Sequence, residues 1–265
     1  MPGRHHPLSA TAPLEFALRR DRWVVIGALL SLTVLALGYT YWLGTGFDMS
    51  AMMSPHFIPW TAAHFAFMFA MWLVMMVGMM TPSVAPMVLL YVAVGRSSVG
   101  KGPAFAPASA FVAGYLLAWG AFSAAATVLQ WWLESLAVIT PMMAGTSRAI
   151  AAGMLIAAGV YQWLPLKQRC LSQCRSPMSF VQRHGGFQAS AGGSVRLGAL
   201  HGWYCIGCCW VLMALLFAFG VMNFLWIAGL MIFVLIEKIV PRPALISRAA
   251  GVVAMAAGAL MLFWR

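Results

Sequence analysis

The chain has 265 residues, of which 63% are hydrophobic and only 8% charged, with a mean hydropathy of +0.88. That balance excludes an ordinary soluble domain and predicts an all-α, polytopic membrane helix bundle. The net charge of +11 would admit nucleic acid as a partner only if the basic residues were not explained by membrane topology, and they are.

Residues 1–22 read as a basic cytosolic lead containing Pro2, Pro7 and Pro13, in which His5 and His6 face solvent. Residues 23–265 read as one transmembrane helical domain. Seven apolar runs, near 23–43, 61–82, 106–133, 148–164, 199–219, 223–239 and 246–264, have the length of bilayer-crossing helices. The first begins at Trp23, is too long for a signal-peptide core and has no small-residue cleavage site after it, so no cleavable signal is expected. There is no repeat of fixed period and no glycine-rich phosphate loop of the Walker type, which argues against ATP-driven transport by this chain.

The second run carries a methionine stripe. At about 100° of rotation per residue, His64, Met68, Met71, Met75 and Met79 stay within an arc of roughly 80°. Met76 and Met80 form a second pair on a neighbouring face. Thioether is a neutral, soft ligand that favours Cu(I), and it needs no deprotonation before it binds. The plainer alternative is that methionine fills gaps in a helix bundle. Against it stand 20 methionines and their clustering, with Met49, Met52, Met53 and His56 in the first external loop and Met142 and Met143 in the second. Taken alone, His64 reads more readily as hydrogen-bonded structure than as a ligand. Pro82 and Pro86 then predict a kink or an end to the helix. Either the break borders an ion path, or the span ends there and an interfacial helix follows over 87–95.

The longest connection, loop 165–197, is predicted to be cytosolic and pliable at Gly185, Gly186, Gly192 and Gly193. Arg175, Arg183 and Arg196 would reach the lipid headgroups. The loop holds Cys170 and Cys174, which on a helix would share one face, and Lys167, Arg169 and Arg175 beside them favour thiolate. In the fifth run, His201, Cys205, Cys208 and Cys209 fall within an arc of roughly 100°. An imidazole and three thiols on one face suit Cu(I), with zinc or iron also compatible. Burial as small hydrophobes is the alternative. A disulfide framework is not expected where all five cysteines lie toward the reducing side. Glu237 and Lys238 close the sixth run. They read as interfacial anchors with the lysine snorkelling, or with Glu237 as a proton-coupled group supporting the cysteines.

Charge orders the runs. With the N-terminus in the cytosol, the cytosolic segments hold Arg4, Arg19, Arg20, Arg22, Arg96, Lys101, Lys167, Arg169, Arg175, Arg183, Arg196, Lys238, Arg242 and Arg248, which is all but Arg148 and Arg265 of the 16 basic residues. The positive charge is therefore topological, nucleic acid is not an expected partner, and the lipid bilayer is.

Four blocks of sequence carry a family resemblance. They are Met71–Ser83, Tyr161–Lys167 leading to Cys170 and Cys174, His201–Trp210, and Met222-Asn223 with Glu237-Lys238. Together they resemble a bacterial family of predicted metal-binding integral membrane proteins, over about residues 60–240. The resemblance implies metal binding, a helical membrane fold and a multi-pass place in the bacterial inner membrane. It supplies no reaction, and copper is the metal commonly suggested for it.

The leading expectation is a Cu(I) transporter, relay or membrane chaperone rather than an enzyme. Metal would pass from Met and His ligands outside to Cys ligands at the cytosolic side, and from there to a cytosolic acceptor or a membrane partner protein. The runner-up is a membrane thiol- or metal-dependent oxidoreductase. Cys205-x-x-Cys208 has the bare spacing for it, without the βαβ setting of a thioredoxin-like motif. A third is an assembly subunit of a membrane complex.

Overall fold

The computed structural model describes residues 12–46, 60–97, 107–136, 147–221 and 223–263. Among them the order is α1 (Ala12–Gly46), α2 (Ala62–Ser97), α3 (Ala108–Ser135), α4 (Arg148–Tyr161), α5 (Pro165–Arg175), α6 (Pro177–Arg183), α7 (Ala191–Ala214), α8 (Leu216–Phe219), α9 (Phe224–Ile239) and α10 (Pro243–Phe263), with no strand. Each of the seven apolar runs falls largely on helix, the fifth on α7 and α8 together. Four helical stretches are long and apolar enough to cross a membrane: Ala62–Val94, Ala108–Ser135, Ala191–Phe219 and Pro243–Phe263. A fifth is added if α4 and α5, bent by 65°, count as one broken span. The bundle turns large apolar side chains outward, such as Leu35, Leu117, Trp203 and Val253, as a lipid environment requires.

The centre of the bundle is built on α2, α3 and α7. Trp72, Met75, Met76 and Met80 of α2 and Phe111, Tyr115 and Trp119 of α3 are fully buried. α3 and α7 approach so closely that a Cβ on Gly114 would overlap the Val195 carbonyl, and one on Gly198 the Phe111 carbonyl. A seam of small residues is what brings two helix backbones together when apolar burial alone gives no preference between lipid and neighbour. A similar seam, Gly159 against Gly251, joins α4 to α10.

Two stretches depart from the sequence expectation. α2 runs through Pro82 and Pro86 without ending. Each proline lacks the N–H that would bond the carbonyl four residues earlier, and side-chain hydroxyls bond other carbonyls of the same stretch. Thr81 Oγ1 donates to the Val77 carbonyl (2.6 Å), while Ser83 Oγ (2.7 Å) and the Tyr115 hydroxyl (3.1 Å) both donate to the Met80 carbonyl. The stretch 165–197, expected as a loop, is largely helical. Pro165 and Pro177 sit in the first turns of α5 and α6, where a missing N–H is no loss. Lys167, Cys170, Leu171, Cys174, Phe180 and Val181 turn inward from them. Within this stretch, the reversal at Gly185 and Gly186, with φ of 94° and 76°, uses glycine's access to positive φ.

Candidate metal centre

α5 lies along α7, and their facing cysteines meet. The sulfurs of Cys174, Cys205 and Cys208 all lie within 4.8 Å of one another, and all three residues are buried. Gly207 makes room for the contact, since a Cβ there would stand 2.8 Å from Cys170 Sγ. The Tyr161 hydroxyl donates to the Gly207 carbonyl and fixes the end of α4 on the same turn of α7. Cys208 Sγ and Cys209 Sγ donate to the Cys205 carbonyl at 3.0 and 3.1 Å. All five cysteines are free and buried, but Cys170 and Cys209 stand outside the close group of three.

His201, one turn before Cys205, is also outside that group. Its ring is buried among Phe111, Tyr115 and Phe180, with centroids 5.8, 6.1 and 4.9 Å away, and its Nδ1 has no hydrogen-bond partner among the described residues. A buried imidazole nitrogen without a partner is costly, and this one lies on α7 one turn before Cys205.

The methionine stripe is buried along its length: Met68, Met71, Met75, Met76, Met79 and Met80 are each at most 4% exposed. Its far end touches the sulfur group through α3. The Tyr115 hydroxyl that bonds the Met80 carbonyl also lies 3.3 Å from Cys205 Sγ, and Ser83 Oγ lies 3.9 Å from the same sulfur. At the other end, half-buried His64 packs its ring 4.7 Å from Trp60. Met68 is not bare: Gln130 Nε2 donates to its sulfur at 3.7 Å. That amide belongs to a chain in which Trp72 donates to Gln130 (2.8 Å), and Gln130 and Trp60 both donate to the Glu134 carboxylate (2.9 Å each). Glu134 falls just past the third apolar run, where hydropathy gives no sign of its partners. Met49, Met52, Met53, His56, Met142, Met143, His5 and His6 lie outside the described residues.

Glu237 and Lys238 do not serve as interfacial anchors. Glu237 is buried and paired with fully buried Lys167, whose Nζ lies 2.7 and 2.8 Å from the two carboxylate oxygens. Ser247 Oγ donates to the same carboxylate (2.6 Å), Gln162 accepts from Lys167, and Arg175 donates to the Glu237 carbonyl (3.3 Å). Glu237 thus braces the helix that carries Cys174 and does not contact a thiol directly. Lys238 turns inward, with Nζ 3.1 Å from Cys205 Sγ and 2.9 Å from Ser83 Oγ. Each has an internal partner, and that outweighs the pull of water at the helix end.

Three buried sulfurs with no carboxylate among them form a donor set that fits a soft cation and suits a hard one poorly. The family model PpoB2, described as copper chaperone, matches residues 69–261, which include the stripe from Met71 onward and all five cysteines. No curated protein and no solved structure matches the chain.

Proposed function

Because the chain belongs to the copper chaperone family, we propose that it takes Cu(I) as cargo and holds it at Cys174, Cys205 and Cys208 before passing it on. The observation that carries this reading is the convergence of those three sulfurs, from two helices, in the buried centre of an apolar bundle. Thiolate is the metal-binding form of cysteine. In a low-dielectric setting three of them in contact need a cation among them. Cu(I) exchanges readily between thioether and thiolate donors and prefers both to oxygen. The buried stripe from His64 through Met68, Met71, Met75 and Met79, with Met76 and Met80 beside it, then serves as the approach to the thiols. His201, Cys170 and Cys209 stand as reserve donors around them, and Glu237 keeps the Cys174 helix in place.

In the proposed orientation the chain crosses the bacterial inner membrane seven times, with its N-terminus and its thiols toward the cytosol. α1, whose apolar core is Ile26–Trp42, and α9, with 16 residues, supply the two short spans. Metal moves from Met and His ligands outside to the thiols, and from them to a cytosolic acceptor. Titration of anaerobically purified protein with Cu(I) against a competing chelator tests the centre. Replacing Cys174, Cys205 and Cys208 together by Ser is expected to weaken binding at least a hundredfold. Unchanged stoichiometry and affinity would remove these residues from the site.

The same closeness of the sulfurs also favours a second reading, thiol redox chemistry. A reversible two-electron titration of the metal-free protein, with no Cu(I) binding, would select it.

A further inference from the structure

Lys238 stands against the sulfur group as a fixed positive charge. Its Nζ lies 3.1 Å from Cys205 Sγ and 2.9 Å from Ser83 Oγ, and the same sulfur is 3.3 Å from the Tyr115 hydroxyl. The carboxylate next to it in sequence, Glu237, is already engaged by Lys167 and Ser247. Among the described residues no carboxylate pairs with Lys238. The cysteine sulfur is what faces its charge.

We propose that Lys238 sets the charge selectivity of the thiol centre, favouring a monovalent soft cation over a divalent one. The inference rests on reading Cys174, Cys205 and Cys208 as a metal centre. A metal–sulfur bond is about 2.3 Å long. An ion on Cys205 is then no more than about 5.5 Å from the ammonium. Repulsion between ion and ammonium grows in proportion to the ion's charge, so a divalent ion meets twice the repulsion of a monovalent one. Cys205 is fully buried and Lys238 half-buried, so that repulsion is screened less than between two surface charges. The thiolates attract both ions and set absolute affinity, while the lysine acts on the difference. Lys238 touches the metal's ligand and not the reaction of any substrate, so it is a positioning and selectivity residue.

The test compares affinities for Cu(I) and Zn(II), each by competition with a chelator, in wild type, Lys238→Met, Lys238→Gln and Lys238→Arg. The neutral variants are expected to lose at least tenfold in the Cu(I)-to-Zn(II) affinity ratio, about 1.4 kcal/mol of discrimination. Lys238→Arg is expected to keep the ratio within threefold of wild type. Lys238→Gln retains a hydrogen-bonding side chain, so one neutral variant remains should the apolar one not fold. A ratio unchanged in a folded neutral variant that still binds Cu(I) overturns the role of Lys238. Failure of wild type to bind Cu(I) overturns the metal centre itself, and this proposal with it.

Discussion

Glu237 and Lys238 are neighbours in sequence but about 100° apart around α9, and they serve different sides of the bundle. Glu237 points to α5 and α10, where Lys167 and Ser247 meet it, and Lys238 points to the thiols. The Lys167–Glu237 pair is a case where removing one partner strands a charge in the interior. Glu237→Gln is expected to cost about 3–5 kcal/mol of stability, as breaking a buried ion pair does. Pairing Lys167→Met with Glu237→Leu should restore part of it, because no charge is stranded, although buried Ser247 and Gln162 lose the partners that Glu237 and Lys167 gave them. Thermal unfolding in one detergent, followed by circular dichroism, measures both. At this scale the sequence was only partly legible. The crowding of Cys205, Cys208 and Cys209 on one turn was visible from spacing alone. The partner of Glu237 was not, because Lys167 lies 70 positions away and looks like any basic residue after an apolar run.

Elements were easier to read where one apolar run makes one helix, and harder where a short helix is amphipathic. α2, α3, α7 and α10 follow from runs of apolar residues longer than a bilayer needs. α5 and α6 have 11 and 7 residues, and α5 mixes Lys, Gln, Arg and Ser with its buried face, so no hydropathy window detects them. The four-residue spacing of Cys170 and Cys174 was the one visible sign that helix continued there. What sets α3 against α7, and hence Cys205 and Cys208 against their surroundings, is the glycine seam. Gly198→Ala would force its Cβ into the Phe111 carbonyl, and Gly114→Ala would do the same at Val195. Each is expected to destabilise by about 1–3 kcal/mol, the range for overpacking. Gly153→Ala in α4 is the control. A Cβ there meets nothing within 4 Å, so the change should stabilise by about 0.5–1 kcal/mol through helix propensity. Midpoints of thermal unfolding for the three variants give the ordering, and equal shifts at all three positions would show that the close approach is not what holds the seam.

Across the whole molecule, α2 connects the two kinds of sulfur. With a rise of 1.5 Å per residue, Met68 and Met80 are about 18 Å apart along it, well over half of a hydrocarbon core about 30 Å thick. Composition made the all-α bundle of apolar helices legible, because hydropathy acts through the bilayer and not through specific contacts. Whether a buried methionine is a ligand or a filler is a matter of use, and both uses bury it. Rate and affinity separate them. Leu replaces Met with little change of volume, so Met75→Leu with Met79→Leu should keep the fold, at a cost below about 1.5 kcal/mol per position. If the stripe is only packing, the variant loads its thiols with Cu(I) as fast as wild type. If it is the approach, the final affinity at Cys174, Cys205 and Cys208 stays within threefold. The rate of loading from a Cu(I)–chelator complex added on the His64 side of reconstituted vesicles falls at least tenfold. The expected outcome is the second, and equal rates with equal affinities would return the methionines to the core and leave the thiols to be reached by another route.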